Sequence, residues 1–251
     1  VSEARSPRIA ILCGGRGTRI SRGDEDAPKP LVEVGERPIL WHVMALYAAQ
    51  GFTDFVLLTG WRSQQVASAV SGFDEIASGD WVAECIDTGE DTPTGGRVDA
   101  ARDALRGGTF GLTYADGLAD IDLAAELDFH REHGGLATIA VARPQSPWGE
   151  ARLAGDGRIT GFVEKPQLEN WINGGFMFLE DGALDFIGPD DVLEQRPLEN
   201  LAAAGELRGW RHEGFWDCMD TYKDTIELNR LCAAGTPPWL FAHARAGEGA
   251  R

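Results

Sequence analysis

Short apolar runs alternate with helical periodicities along the first half of the chain. Ile9 to Leu12 is an unbroken apolar run ending in glycines, the pattern of a strand buried on both faces. Leu40, Val43, Met44 and Tyr47 recur at helical spacing within Pro38 to Gln50, and Gly51 supplies the stop. Asp54 to Thr59 predicts a second buried strand, Ser63 to Val70 a helix, and Trp81 to Ile86 a weaker strand. Gly95 to Leu105 reads as mostly helical, Phe110 to Tyr114 as a strand, and Asp122 to His133 as a helix. Such alternation with short loops predicts an α/β chain with an open, mostly parallel sheet flanked by helices.

The pattern changes after His133. Ala137 to Ala142, Arg158 to Glu164 and Trp171 to Leu179 read as strands with little helix between them. Helices are predicted at Asp190 to Ala204 and Thr221 to Ala234, with a strand near Leu207 to His212 between them. No Pro/Ser-rich linker and no internal repeat divide the chain, so residues 1–251 are expected to form one domain. Its halves are 8–135 and a mixed α+β extension on the same core, 136–239. The tail, 240–251, rich in Gly, Ala and Arg, is expected to fray.

Composition narrows the chemistry. The 251 residues carry 23 Lys+Arg against 40 Asp+Glu, a net charge of −17, which argues against nucleic acid or an anionic membrane as the main partner. Only Lys29, Lys165 and Lys223 are lysines, and none follows a glycine, which excludes a P-loop. No apolar run approaches the roughly 20 residues that span a bilayer, and the polar start shows no signal peptide. Cys13, Cys85, Cys218 and Cys232 have neither close-pair nor zinc spacing, so a reduced, cytoplasmic protein is expected. His130 and His133 form H-x-x-H on a predicted helix, but with no third ligand nearby a solvated helix face is the expectation.

Four features carry candidate chemistry. Gly14-Gly15-Arg16-Gly17-Thr18-Arg19 follows the first strand directly, where consecutive backbone N–H groups can cradle a phosphate. It is not the dinucleotide fingerprint, because Ile20 stands where a glycine is required. Pro28-Lys29-Pro30 then holds a point charge on stiff backbone. Asp116, in Tyr114-Ala115-Asp116-Gly117 at a strand's carboxyl end, can hold Mg²⁺ or simply form an Asp-Gly turn. Asp220 can do likewise or cap the helix that follows. Glu164-Lys165-Pro166, with Asn173-Gly174-Gly175 soon after, can seat a phosphomonoester or be an ordinary turn.

The order of these features resembles the sugar-1-phosphate nucleotidyltransferase family from about Ile9 to Trp239. The resemblance narrows to glucose-1-phosphate cytidylyltransferases through five segments. These are Pro38 to His42, Asp87-Thr88-Gly89, Thr94 to Arg97, Ile172 to Phe176, and Gly214-Phe215-Trp216 with Met219-Asp220-Thr221. It implies a Rossmann-like sheet of the nucleotide-diphospho-sugar transferase type, with nucleotide bound by the first half and sugar phosphate by the second. Leu12, Cys13, Gly14, Gly15, Arg16, Gly17, Thr18, Arg19, Lys29, Thr92, Arg97 and Ala115 are then expected to bind nucleotide. Arg19 and Lys29 become the catalytic cations, and Arg97 is expected to reach toward the base. Asp116 and Asp220 are expected to hold Mg²⁺. Glu164, Lys165, Asn173 and Gly174 are expected on the sugar phosphate. The implied partners are CTP and a sugar 1-phosphate, most simply α-D-glucose 1-phosphate, giving CDP-glucose and pyrophosphate.

The sequence also departs from that family's pattern. Ala115 replaces a usual glycine and Cys13 a usual alanine. The stretch from Val70 to Trp81 is shortened where the family makes subunit contacts, which leaves a homo-oligomer open. Glu150 and Arg152 lie near the expected acceptor pocket, marking either a different acceptor or a surface ion pair. The alternatives are the same chemistry with another acceptor or with UTP, dTTP or GTP, and a catalytically silent nucleotide-binding paralogue. Asp116, Asp220, Lys29 and Lys165 together count against the silent paralogue.

Overall fold

The computed structural model of the chain describes residues 6–15, 27–235 and 237–241. Arg16, Gly17, Thr18 and Arg19 lie outside the described residues, as does most of the tail. The first half runs β1 (Ile9–Leu12), β2 (Glu33–Val34), β3 (Arg37–Pro38), α1 (Ile39–Ala48), β4 (Asp54–Thr59), α2 (Ser63–Ser71), α3 (Asp74–Ser78) and β5 (Val82–Asp87). It continues through α4 (Thr94–Ala100), α5 (Arg102–Leu105), β6 (Phe110–Tyr114), β7 (Gly117–Ala119) and α6 (Leu123–His133). The second half adds β8 (Ala137–Ala142), β9 (Glu150–Leu153), β10 (Ile159–Val163), β11 (Ile172–Leu179), α7 (Arg196–Ala203), β12 (Leu207–Arg211), β13 (Trp216–Cys218), α8 (Tyr222–Ala233) and α9 (Pro238–Phe241).

Seven strands form one sheet in the order β12-β8-β11-β6-β1-β4-β5, so strands from both halves share it. β1 lies parallel between β4 and β6, β5 is parallel to β4, and β12 is parallel to β8. Only β11 runs against its neighbours. The pleat divides the core. Ile9, Ile11, Phe55 and Leu57 face the layer built on α1, while Ala10, Leu12, Val56 and Leu58 face the layer containing Val98, Leu184 and Leu201. Two-sided burial explains why β1 and β4 read as continuous apolar runs.

Two sequence expectations are corrected. The helix predicted from Asp190 begins only at Arg196, with a 3-10 turn at Asp181–Phe186 before it. Asp191 Oδ2 accepts the Gly188 N–H, and Thr94 Oγ1 accepts the Leu193 N–H, so side chains take donors that a helix would use. Pro197 then sits in the first turn, where its missing N–H costs nothing. The other correction concerns His130, which is buried rather than solvated. Its Nδ1 and the Nε2 of His133 both meet the Thr138 hydroxyl, at 2.8 and 2.7 Å, and its own Nε2 meets Glu180 at 3.1 Å. The pair therefore pins α6 to β8.

Five short strands were missed: β2 and β3, two residues each and paired with one another, and β7, β9 and β13. β7 pairs with β13, a ribbon of two three-residue segments whose register no local pattern reveals. β9 pairs with β10 as a hairpin standing off the core.

Candidate active site

The carboxyl ends of β1 and β6 open into a cavity of about 490 Å³, where ligands of open α/β sheets gather. Leu12, Cys13, Gly14 and Gly15 form one wall, continuing β1. Thr92, Pro93, Thr94 and Arg97 form another with Val192, and Tyr114, Ala115 and Asp116 enter from the end of β6. Lys29, Pro30 and Asp220 complete it.

Lys29 opens a 3-10 turn, Lys29–Leu31, between Pro28 and Pro30. Its Nζ lies 2.5 Å from Asp116 Oδ2 and 2.9 Å from Asp220 Oδ1. The two carboxylates are distant in sequence and meet through the β7–β13 ribbon, where the Met219 N–H donates to the Asp116 carbonyl. Asp220 is not the helix cap. Thr221 caps α8 in a reciprocal box with Asp224, which leaves the Asp220 carboxylate for the cavity. Burial pushes the Lys29 ammonium down, but Asp116 and Asp220 outweigh it and hold its pKa above the ordinary lysine value.

Among the described residues, Asp116, Cys218 and Asp220 are the one group of acidic, thiol or imidazole side chains close enough to share a metal ion, their ligand atoms within 4.8 Å of one another. The two carboxylates suit a hard divalent cation, and the Lys29 ammonium spanning them shows that the pair receives positive charge. Cys218 is a poor partner for such an ion. Burial, then Asp116 and Asp220, push its thiol far above its ordinary value, which keeps the sulfur protonated.

Arg97 does not reach into open space. Its guanidinium donates to the carbonyls of Thr59, Gly89, Gly14 and Glu90 and to the Thr88 hydroxyl, at 2.7 to 3.1 Å. It braces the loop after β1 against the loop after β5. A Cβ on Gly14 would fall 2.1 Å from this guanidinium, so only glycine fits there. Thr92 serves the same loop, its hydroxyl donating to the Thr88 carbonyl at 2.6 Å.

The expected acceptor residues are placed unequally. The Asn173 amide donates to the Tyr114 hydroxyl at 3.5 Å, bordering the cavity, and the Gly174 carbonyl accepts the Trp216 indole N–H at 2.8 Å. Glu164 and Lys165 are exposed at the foot of the β9–β10 hairpin, outside the cavity lining. Lys165 has φ of 47°, a left-handed conformation rare for a side chain of its size, and its charge is felt by Glu227 on α8. Glu150 and Arg152 are exposed on β9, and no ion pair joins them.

Tyr114, Glu194 and Cys218 escaped the sequence reading. The Tyr114 hydroxyl donates to Glu194 at 2.5 Å, and Thr94 donates to the other Glu194 oxygen at 2.7 Å, which closes the side of the cavity. The strand-end rule that selected Asp116 also points to Tyr114, two residues earlier. Glu194 carried no signal, because it lies in a stretch read as helix.

Comparison with known proteins shows the family. Residues 9–204 match the family described as Nucleotidyl transferase. A Bacillus subtilis protein named "Probable glucose-1-phosphate cytidylyltransferase" is 36% identical over 92% of this chain and 98% of its own. The Salmonella typhimurium glucose-1-phosphate cytidylyltransferase is 35% identical with the same coverage of both chains. Among solved structures, HddC from Yersinia pseudotuberculosis superimposes with a TM-score of 0.69 over 90% of this chain and 99% of its own, at 18% identity, a likeness of fold. No helix among the described residues is long and apolar enough to cross a membrane.

Proposed function

The chain belongs to the nucleotidyl transferase family, and from that premise we propose that it transfers CMP from CTP to α-D-glucose 1-phosphate. The products are CDP-glucose and pyrophosphate. The observation that carries the reading is the Lys29 ammonium held between Asp116 and Asp220 in the cavity at the end of β1, in a chain this similar to two glucose-1-phosphate cytidylyltransferases.

In the proposed reaction a phosphate oxygen of glucose 1-phosphate attacks the α-phosphorus of CTP. The new P–O bond forms as the bond to the β-phosphate oxygen breaks, and pyrophosphate leaves opposite. The nucleophile is already an anion, so no general base is needed; the barrier is charge repulsion and misalignment. Gly14 and Gly15 offer backbone N–H groups to the phosphates. Arg97 keeps that loop in place and Thr92 supports it. Lys29 neutralises phosphate charge, and Arg19 is assigned the same task. Asn173, Gly174, Glu164 and Lys165 are assigned to the acceptor. Asp116 and Asp220 would hold Mg²⁺, which supplies charge neutralisation across the transferring phosphates.

The test is pyrophosphate release with CTP, UTP, dTTP and GTP, each against a panel of sugar 1-phosphates. The reading expects CTP with glucose 1-phosphate to give the highest kcat/KM. A different pair in first place corrects the substrates, and binding of CTP–Mg²⁺ without pyrophosphate from any acceptor replaces the enzyme with a silent binder.

A further inference from the structure

Between the 3-10 turn and α7, residues 188–194 pass from the second half of the chain to the N-terminus of α4. The passage is tight. The Gly96 N–H donates to the Asp191 carbonyl at 3.1 Å, and a Cβ on Gly95 would fall 2.6 Å from that same oxygen. A Cβ on Gly96 would fall 2.1 Å from the Pro189 carbonyl oxygen, so glycine at both positions is what lets the two backbones approach. Leu193 is fully buried and donates its N–H to Thr94 Oγ1 at 2.9 Å. The Thr94 hydroxyl in turn donates to Glu194 Oε2 at 2.7 Å. Glu194 therefore stands on a seated loop and is tied to the wall that carries Thr92 and Arg97.

Its other oxygen, Oε1, accepts the Tyr114 hydroxyl at 2.5 Å. A phenol donating to a carboxylate makes a charge-assisted bond, about twice as strong as a neutral one. Tyr114 ends β6 and lines the cavity, and its ring lies on an irregularity in β11. The β8–β11 ladder shifts register between Asn173 and Met177, and within that bulge Gly175 adopts φ of 82°. A Cβ on Gly175 would fall 2.8 Å from Tyr114 Cδ2, so ring and bulge are in direct contact. Asn173 closes the link. Its Oδ1 accepts the Gly175 N–H at 2.8 Å, and its amide donates to the Tyr114 hydroxyl at 3.5 Å. One line of contacts thus runs from Thr94 through Glu194 and Tyr114 to Asn173.

We propose that Glu194 is a positioning residue for the acceptor: anchored on Thr94, it fixes the Tyr114 hydroxyl, and Tyr114 holds Asn173 and the Gly174–Gly175 bulge in the shape that receives the sugar phosphate. The proposal rests on the reading of Asn173 and Gly174 as acceptor residues. Glu194 is exposed and is not part of the cavity lining, so its influence passes through Tyr114. The loop after β1 has its own support in Arg97, so the loss of Glu194 falls on one substrate.

Three variants test this. Glu194→Ala removes both bonds. Glu194→Gln keeps an acceptor oxygen for Tyr114 and offers Thr94 an amide. Tyr114→Phe keeps the ring on the bulge and removes only the hydroxyl. Glu194→Ala and Tyr114→Phe are each expected to raise KM for glucose 1-phosphate about 10-fold, with KM for CTP and kcat within about 2-fold of the parent. Glu194→Gln should restore that KM to within about 3-fold of the parent. The double variant Tyr114→Phe/Glu194→Ala should lose no more than about 2-fold beyond either single change, because both cut the same link. Hydrogen–deuterium exchange supplies a readout independent of activity. Peptides covering 172–179 should exchange faster in Glu194→Ala and Tyr114→Phe than in the parent, whereas peptides covering 9–15 should not change. Should Glu194→Ala not fold, Tyr114→Phe carries the same expectations. An equal rise in KM for both substrates overturns the proposal, as do multiplied losses in the double variant or unchanged exchange at 172–179. If exchange changes as expected while the parent turns over no glucose 1-phosphate, the substrate assignment fails and the link from Glu194 to the bulge stands.

Discussion

The two ends of the binding edge are built differently. Around β1 and β6, the wall that would hold nucleotide is cross-braced: Arg97 ties four carbonyls and a hydroxyl, and Lys29 ties two carboxylates. Around β9 and β10, Glu164 and Lys165 stand exposed on a hairpin that also leaves Leu153, Ile159 and Phe162 uncovered. A two-stranded hairpin is marginal by itself, so this end takes its shape from the neck that joins it to the sheet. The contrast teaches a division of labour. The cavity wall is backbone pinned by a buried arginine, whereas Glu164 and Lys165 are exposed on a hairpin standing off the core.

Removing the brace on the transferring phosphates should have the largest effect. Lys29→Ala or Asp116→Ala is expected to lower kcat about 10³-fold or more while circular dichroism and the melting temperature show a folded protein. A folded variant with near-parental activity would remove the chemical centre from this cavity. Next comes Arg97→Ala, which takes the guanidinium donor from the carbonyls of Gly14, Thr59, Gly89 and Glu90; Gly14 and Thr59 keep the backbone donors of Trp61 and Thr88. We expect about 3 kcal/mol of lost stability in urea unfolding, together with a higher KM for CTP. If only KM rises, Arg97 touches the nucleotide directly and the brace is incidental. Lys165→Ala should act on the opposite end, raising KM for the acceptor about 10-fold with KM for CTP unchanged. Arg152→Ala should do least, within about 2-fold on every parameter, because its charge is exposed and unpaired. A large acceptor effect there would extend the pocket onto β9.

The same contrast explains what the sequence revealed. Strands β1, β4 and β6 were legible because two-sided burial writes an unbroken apolar run, and the strand-end rule then led directly to Asp116. The meeting of Asp116 with Asp220 was legible only through family likeness, since β7 and β13 are three-residue strands without a periodic signature. The clamp made by Arg97 was not legible, because its acceptors are carbonyls, which no residue type encodes. His130 was misread for a related reason: an imidazole on a helix looks solvated until Thr138 on the next strand and Glu180 from beyond β11 satisfy it.

The most direct test of the unequal edge is calorimetric titration of the free protein with each substrate. CTP with Mg²⁺ should bind the free protein, whose nucleotide wall is already braced. Glucose 1-phosphate alone should bind at least about 10-fold more weakly than it does in the presence of a non-reactive CTP analogue, because its cationic partner Lys165 stands outside the cavity. Equal affinity for glucose 1-phosphate with and without nucleotide would contradict the account, since it would mean the acceptor end is as preformed as the other.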